Sequence, residues 1–300
     1  MDKFDAMRVL LAVVDGGTLS AAGRKLGIPL PTVSRKIADL ETHLGAQLLM
    51  RSNRKITLTD AGAAYVAASK RIIDAVADAD RAASGEFSAA QGELVITAPV
   101  VFGRLHVLPA VTDFLRAYPD IDIRLMLADR NLHLTDDHVD LAVRIGALPD
   151  SSLLAIKLGS VRRVVCGSPS YFASHGNPDH PDDLARHTCI TFTALGLPDS
   201  WTFGTGPKSH TVTLRSRLAV NTAEAAIDTA TAGLGVTRVL SYQVANRLRS
   251  GQLALALTDH ASDPIPVSLV YGGQGILPLK LRAFLDFATP RLRKGLTGLV

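Results

Sequence analysis

Residues 18–62 read TLSAAGRKLGIPLPTVSRKIADLETHLGAQLLMRSNRKITLTDAG and decide the fold of the N-terminal part of the chain. Within this stretch, residues 21–26 predict a short helix capped by Ser20 and ended by Gly27. A second helix begins at Pro29-Leu30-Pro31. Its apolar residues follow the spacing of one helix face, namely Val33, Ile37, Leu40 and Leu44. An earlier helix is predicted over residues 4–14 and ends at Gly16-Gly17, and three short helices with a tight connection between the last two predict a helix-turn-helix.

The outer face of this second helix is polar. It presents Pro31, Thr32, Arg35 and Asp39, with Ser34 and Lys36 on its flanks. In the major groove, arginine donates to guanine acceptors, while serine and threonine contact bases or phosphates. The face therefore favours a DNA-recognition helix. A packing unit of amphipathic helices without a nucleic-acid partner is the structural alternative.

A hairpin is predicted directly after the helix-turn-helix. Residues 47–50 and 56–58 read as strands on either side of a polar turn. The turn carries the cations Arg51, Arg54 and Lys55. Such a wing brings positive charge to the place where a phosphate backbone would lie.

The excess positive charge of the chain lies entirely in this N-terminal segment. The 300 residues carry a net charge of +4. Residues 18–58 contain seven lysines and arginines against two acidic residues, a net +5, so the other 259 residues sum to −1. A localised basic segment is typical of polyanion binding, and a solvated basic face without a ligand is the alternative.

Landmarks of one bacterial family occur here at matching intervals. They include Thr18-Leu19-Ser20-Ala21-Ala22, Leu26-Gly27, Pro31-Thr32-Val33-Ser34-Arg35-Lys36-Ile37, Leu44-Gly45 and Leu58-Thr59-Asp60-Ala61-Gly62. The pattern closely resembles the LysR-type transcriptional regulators. The resemblance implies contacts with double-stranded promoter DNA from Pro31, Thr32, Ser34, Arg35 and Lys36, and from Arg51 and Arg54 in the wing beside Lys55. Pro29-Leu30 replaces the Ser-Gln usual in the family, so a capping hydroxyl and a base-reading amide are absent.

A long alanine-rich helix is predicted from residue 61 to about residue 84, capped by Thr59. Its narrow apolar seam consists of Tyr65, Val66, Ile72, Ile73, Val76 and Ala79. A helix with so little apolar area is not expected to be stable alone, so the seam favours a coiled coil with a second copy. Packing against its own chain is the alternative. The resemblance implies a homodimer through this linker helix, and a homotetramer built from such dimers.

The rest of the chain alternates between strand and helix patterns. Strands are predicted at residues 93–97, 121–127, 140–145, 161–167, 188–192, 235–239 and 267–271, and helices at 105–118, 223–232, 242–249 and 279–293. This alternation predicts parallel α/β sheets in two lobes, with a small-molecule cleft between them that closes about a hinge. The domain boundaries that follow are 1–58 for the winged helix-turn-helix, 59–88 for the linker helix and 89–300 for the effector domain, with lobe I at 92–162 and 267–300 and lobe II at 163–266.

The family resemblance continues into this region. It is carried by Thr97-Ala98-Pro99, Phe102-Gly103-Arg104, Asp140-Leu141-Ala142-Val143-Arg144-Ile145-Gly146, Val220-Asn221 and Ala232-Gly233-Leu234-Gly235. It implies a two-lobed α/β effector domain with the type 2 fold of periplasmic solute-binding proteins. The implied effector-binding residues are Thr97, Pro99, Val101, Phe102, Arg144, Gly146, Asn221 and Thr222.

The chemistry of these residues favours an anionic effector. Free amides at a helix start and an arginine suit a carboxylate or another anion. Each residue also has a structural interpretation: Arg144 in a salt bridge within its lobe, and Thr97 as a strand-end cap. Trp201 is expected in the core of the second lobe rather than in the cleft.

Other classes of protein lack support in the sequence. There is no GxSxG, HExxH or GxxxxGK[ST] motif, so neither an enzyme nor a cofactor or metal site is predicted. Cys166 and Cys189 stand alone and are expected to be small buried hydrophobes. No membrane-spanning run or secretory signal is recognised, so we expect a cytoplasmic protein. A cytoplasmic small-molecule-binding protein whose N-terminal helices serve assembly is the alternative function.

Overall fold

The computed structural model describes residues 2–51, 56–84, 90–129, 134, 139–149, 152–192, 200–204, 209–273 and 277–297. Their contacts divide the chain into two compact units, Met1–Gly92 and Glu93–Val300. Of the helices in these ranges, no single one is long and apolar enough to cross a membrane. Only Lys3–Gly16 and Leu19–Leu26 taken together, bent by 120°, meet that criterion of length and composition.

The N-terminal unit consists of short helices, a hairpin and a long helix. Its elements are α1 Lys3–Gly16, α2 Leu19–Leu26, α3 Leu30–Leu44, β1 Leu49–Arg51, β2 Ile56–Leu58 and α4 Asp60–Ser84. The predicted cap of α2 is wrong: Thr18, not Ser20, accepts a hydrogen bond from the Ala21 amide at 3.1 Å. Because Thr18 has an extended backbone, the helix begins at Leu19 and Ser20 lies inside its first turn.

The predicted apolar stripe of α3 forms the centre of this unit. Val33, Ile37 and Leu40 are completely buried. They pack in one cluster with residues of α1 such as Val9 and Leu10. The stripe is confirmed, and its burial fixes which face of α3 is turned outward.

The start of α4 is attached closely to the hairpin. The predicted cap is confirmed, since the Thr59 hydroxyl oxygen accepts a hydrogen bond from the Gly62 amide at 2.9 Å. The Thr59 amide also donates to the Leu48 carbonyl oxygen at 3.0 Å. A Cβ atom added at Gly62 would lie only 2.0 Å from that oxygen, so this helical turn can approach the hairpin only because residue 62 is glycine.

The C-terminal unit contains two five-stranded sheets with helices around them, and a two-stranded sheet formed by Ser200–Phe203 and His210–Thr213. Its strands are β3 Gly92–Ala98, β4 Ile121–Leu127, β5 Leu141–Ile145, β6 Leu153–Val161, β7 Arg163–Gly167, β8 Cys189–Phe192, β9 Ser200–Phe203, β10 His210–Thr213, β11 Ser216–Val220, β12 Val236–Leu240, β13 Ala254–Ala256 and β14 Ile265–Gly272. Its α-helices are α5 Val100–Phe102, α6 Leu108–Ala117, α7 Pro169–His175, α8 Ala223–Thr231, α9 Ser241–Arg249 and α10 Leu279–Leu296. A π-helical turn, Gly103–Val107, joins α5 to α6, and 3-10 helices lie at Pro181–Arg186 and Thr258–His260.

Both five-stranded sheets contain parallel and antiparallel neighbours, so the prediction of parallel sheets is wrong. One sheet has the order β4-β3-β5-β14-β6, in which β14 runs antiparallel to both neighbours. The other has the order β11-β8-β12-β7-β13, in which β7 runs antiparallel to both neighbours. In each sheet the antiparallel strand, β14 or β7, is the one by which the chain enters from the other sheet, and β7 follows β6 after the single residue Arg162, without an intervening helix. Parallel neighbours need a long crossover, whereas this direct passage takes the chain from one sheet to the other.

The core of the second sheet confirms two expectations. Trp201 is only 7% exposed and packs with Tyr171 and Phe203. Cys166 and Cys189 are both buried free thiols. Burial raises the pKa of Cys166 to about 12, which leaves it protonated and unreactive at neutral pH.

Candidate functional site

The outer face of α3 presents the side chains expected of a recognition helix. Pro31 and Arg35 are exposed, and Thr32, Ser34 and Lys36 are half-buried. Because the opposite stripe is fully buried, these side chains form the accessible face of α3 within this unit. No hydrogen bond or ion pair of Arg35 is present among the described residues, so its guanidinium has all its donors available.

The N-terminus of α3 differs from the other helix starts in this unit. Pro29 occupies the cap position and provides no side-chain hydrogen bond, and Pro31 lies in the first turn. Leu30 follows with 46% of its surface exposed. The helix therefore begins on proline geometry rather than on a capping hydroxyl, and it presents an apolar side chain at its outer end.

Lys36 is not a free cation. Its Nζ atom donates to the Asp5 carboxylate of α1. The pair is part-exposed, so solvent weakens the attraction. Any anion that binds Lys36 competes with this carboxylate.

The wing is fixed to the end of α3 through Glu41. One oxygen of the Glu41 carboxylate accepts hydrogen bonds from the Leu48 and Leu49 amides, at 2.7 and 3.0 Å. Strand β1 then pairs antiparallel with β2, with Arg51 opposite Ile56. The side chain of Arg51, together with Arg54 and Lys55, lies outside the described residues.

Helix α4 is divided into a part that packs and a part that does not. Val66 is 7% exposed and belongs to the N-terminal core, against which Tyr65 also packs. Farther along, Ile72 and Val76 are each 39% exposed. The predicted seam therefore packs on its own chain at its beginning and is exposed at these two apolar residues, one helical turn apart. The side chain of Ala79 lies outside the described residues.

A cleft of about 710 Å³ lies between the two sheets of the C-terminal unit. Four of the residues expected at an effector site line it, namely Thr97, Pro99, Arg144 and Gly146. The other four do not. Val101 and Phe102 are buried, Asn221 is exposed, and Thr222 caps α8 by accepting from the Ala225 amide at 3.4 Å.

Phe102 supports the cleft from behind. Its ring packs edge-on against Tyr242, with 5.3 Å between centroids. Tyr242 lines the cleft and is itself 4% exposed. Burial raises the pKa of the Tyr242 hydroxyl, with a smaller contribution from the charge of Asp129, so the group stays protonated. It provides a neutral hydroxyl in the cleft.

The helix start at the cleft is already occupied by a carboxylate of the chain. The Val100 amide donates to Oδ1 of Asp129 at 3.0 Å, and Pro99 has no amide hydrogen to offer. The Thr97 hydroxyl donates to the Met126 carbonyl oxygen at 3.0 Å. Asp129 thus takes the position at which an anionic ligand was expected to accept a hydrogen bond.

The charges that line the cleft include both signs. Arg144 and Arg163 provide positive charge, and Asp129 and Asp263 provide negative charge. Arg163 is exposed, and no ion pair involves it in the described part of the chain. This makes Arg163 the cleft cation most accessible to a ligand.

Sequence reasoning missed several residues of this cleft. They are Asp129, Arg163, Thr202, Tyr242, Gln243 and Asp263. Asp129 follows β4, and residues at strand ends often line sites in α/β folds, so its position was a usable signal. The others come from distant segments, and no local pattern marks them.

The described residues include no group of three or more His, Cys, Asp or Glu side chains that could hold a metal ion. A cluster of one carboxylate and two histidines, which is not such a metal site, does form on the second lobe, where the Asp182 carboxylate contacts His210 at 2.6 Å and His180 at 3.2 Å. Its members are separated by up to 30 positions, so the spacing of histidines along the sequence gave no sign of it. All three side chains are about half exposed or more.

Comparison with known proteins identifies two family models. The model of the "Bacterial regulatory helix-turn-helix protein, lysR family" matches residues 4–63, and that of the "LysR substrate binding domain" matches residues 88–293. An HTH-type transcriptional regulator of Xanthomonas campestris is 33% identical over 95% of this chain and 84% of its own length. The HTH-type transcriptional regulator CrgA of Neisseria meningitidis serogroup C is 32% identical over 98% of both chains.

Solved structures agree with these relatives. The structure of CrgA from N. meningitidis, a LysR-type transcriptional regulator, has a TM-score of 0.61 and 30% identity, and covers 96% of this chain and 98% of its own. The virulence activator AphB of Vibrio cholerae has a TM-score of 0.60 and 29% identity, with 95% and 98% covered. The chain therefore belongs to the LysR family of transcriptional regulators, with a DNA-binding helix-turn-helix followed by an effector-binding domain.

Proposed function

We propose that this regulator binds an interrupted palindrome in promoter DNA as a symmetric homo-oligomer, and that a small molecule in the interlobe cleft alters the DNA bend or the subunit spacing. The observation that carries the proposal is the two-sided character of α3. Its buried stripe fixes the orientation of the helix, and the opposite face leaves Arg35 exposed with its donors available. A rigid helix with an outward guanidinium matches the geometry of major-groove recognition.

The same proposal assigns DNA contacts to the remaining polar residues of the N-terminal unit. Pro31, Thr32, Ser34 and Lys36 would contact bases or backbone beside Arg35, and Arg51, Arg54 and Lys55 would contact phosphates from the wing. For Lys36 this requires exchange of the Asp5 carboxylate for a phosphate, which bears the same charge sign. In this division of roles, residues 1–58 bind DNA, residues 59–88 link the subunits, and residues 89–300 bind the effector, with lobe I at 92–162 and 267–300 and lobe II at 163–266.

Arg35→Ala should weaken binding to the cognate promoter by about 1–3 kcal/mol and relax base preference at one position of each half-site. The reason is the loss of a bidentate contact with a guanine edge. Mobility-shift titrations at fixed salt, on the native site and on a set of single-base variants, measure both effects.

The matched control for this experiment is Arg282→Ala, which removes an exposed arginine of α10 in the effector unit. It should leave both affinity and base preference unchanged. Equal promoter affinity of the Arg35→Ala protein and the wild type would contradict the assignment of α3 as the reading element.

We infer that the effector is a small anion, such as a carboxylate, held at Arg163 and near Gly146 rather than at the helix start. Asp129 already accepts from the Val100 amide, so a ligand carboxylate placed there would meet a like charge. Arg163 lines the same cleft without an ion pair in the described ranges. Val101, Asn221 and Thr222 do not line the cleft and have no part in this proposal, whereas Phe102 acts on the cleft through Tyr242.

Asp129→Asn should strengthen benzoate binding in the cleft by about tenfold, because it removes a negative charge while its amide oxygen still caps Val100. The same change should weaken benzylamine binding. Calorimetric titration of the full-length protein with each compound measures both. Asp122→Asn, on the exposed side of β4, is the control and should change neither. Stronger binding of benzylamine to the Asp129→Asn protein would contradict an anionic effector.

The protein is proposed to act by binding, without catalysis, in the cytoplasm where promoter DNA is found. Support comes from its relatives, since the Xanthomonas and Neisseria proteins are both named as transcriptional regulators. The exposed Ile72 and Val76 support a homodimer through α4, from which a homotetramer would be built.

A further inference from the structure

Another cavity, of about 360 Å³, lies within the second lobe. Its apolar wall includes Val165, Phe203 and Ala256, and its polar wall includes three arginines, Arg162, Arg163 and Arg238. Arg163 also lines the interlobe cleft, whereas Arg238 lines only this cavity. The proposed effector function makes no use of Arg238.

The sheet register explains why these side chains meet. Val165 of β7 is paired with Arg238 of β12 on one side and with Ala256 of β13 on the other. Arg163 lies two residues before Val165, so it shares a face of the sheet with it. Arg163 and Arg238 are therefore diagonal neighbours on one face, close enough for their charges to interact.

In the described part of the chain, the positive charge of this cavity has no counter-ion. Arg238 is half-buried, stacks over the Phe203 ring at 4.5 Å and donates to the Ser262 hydroxyl at 2.7 Å, both neutral groups. Within the described residues, no carboxylate forms an ion pair with any of the three arginines. Burial, followed by the charge of Arg163, lowers the pKa of Arg238 to about 10. A buried cation beside a like charge is unfavourable unless an anion accompanies it.

An unused hydrogen-bond donor points to the same conclusion. The Nε atom of Arg162 is buried and has no hydrogen-bond partner among the residues that the structure describes. Buried donors are nearly always paired in native proteins, because an unpaired one loses its bond with water and gains nothing in return. The guanidinium groups of this cavity therefore present charge, and a donor for which the described part of the chain provides no acceptor.

We propose that this cavity is a second ligand site, which binds a small organic carboxylate. Guanidinium groups bind carboxylates through paired N–H donors, and the apolar wall of Val165, Phe203 and Ala256 suits a hydrocarbon body. An inorganic oxyanion would use only the arginines and would leave this wall in contact with water. Arg162 and Arg238 line this cavity but not the effector cleft, with which it shares Arg163, so failure of this proposal would leave the proposed function standing.

The test is calorimetric titration of the full-length protein with benzoate and, separately, with inorganic phosphate. The wild type should bind benzoate at two sites per chain, one of them in this cavity, and Arg238→Gln should weaken that one by at least about tenfold. Arg217→Gln, an exposed arginine on β11 of the same sheet that lines neither cavity, should leave both sites unchanged. Asp129→Asn should change only the cleft site.

A second variant tests the cavity independently, in case Arg238→Gln weakens binding only because it disturbs folding. Ala261→Trp places a bulky group on the exposed rim of the cavity and should also weaken benzoate binding there. Unchanged benzoate binding in both variants, or benzoate binding at one site only, would overturn the proposal. Phosphate binding as tight as benzoate binding would overturn the assignment of an organic carboxylate.

Discussion

The protein carrying Ile72→Asp and Val76→Asp should behave as a folded monomer and bind its promoter at least about 100-fold more weakly than the wild type. Both residues are exposed on α4, one helical turn apart, beyond the part that packs on its own chain. In a coiled coil, four carboxylates would then be buried in the apolar interface, each at a cost of several kcal/mol. A separated subunit also loses the gain from engaging two half-sites together. Analytical ultracentrifugation gives the mass, and fluorescence anisotropy gives the DNA affinity.

The control for this result is Ala63→Asp. Ala63 is exposed on α4, nine residues before Ile72 and so on the opposite side of the helix. It should leave mass and affinity unchanged. A doubly substituted protein that remained dimeric would show that α4 does not hold the subunits together.

Gly62→Ala should destabilise the N-terminal unit by about 1–3 kcal/mol and lower its melting temperature by several degrees. At an ordinary helical position, the same change stabilises by about 1 kcal/mol. Here the new Cβ would overlap the Leu48 carbonyl oxygen, which also accepts from Thr59, so the helix must move away from the hairpin. Thermal unfolding followed by circular dichroism measures the loss.

The control is Ala63→Gly, which distinguishes the overlap at Leu48 from the general effect of glycine and alanine on helix stability. It lies one position later and is exposed, so it should cost only about 1 kcal/mol. If Gly62→Ala raised the melting temperature, the close approach of α4 to the hairpin would not exist in solution.

The N-terminal unit could be predicted because its signals are local. The stripe of Val33, Ile37 and Leu40 repeats within one helix. The capping residue Thr59 lies three residues before Gly62, whose amide donates the hydrogen bond to it. The misplaced cap at Ser20 arose because Thr18 and Ser20 are both capping residues, and only the backbone conformation distinguishes them.

Much of the fold and the cleft of the effector unit could not be predicted, because both depend on contacts between residues that are distant in the sequence. Strand β6 was missed because only Leu158 and Val161 are buried in it, which leaves no alternating pattern. The cleft joins Asp129 to Tyr242, more than one hundred residues apart, and the second cavity joins Arg163 to Arg238. The mixed pairing arises at β7 and β14, by which the chain enters each sheet from the other, and no composition or period reveals these passages.

The passage at Arg162 also restricts how the two lobes can move. Its amide donates to the Ser241 hydroxyl at 3.2 Å, and its carbonyl oxygen accepts from the Ser241 amide at 2.8 Å. Both bonds go to Ser241 at the start of α9, so Arg162 is fixed to the second lobe, and the lobes can pivot there but cannot draw apart. Ligand-driven motion must accordingly be a swing about a fixed point, with the largest travel at the rim farthest from Arg162 and almost none beside it.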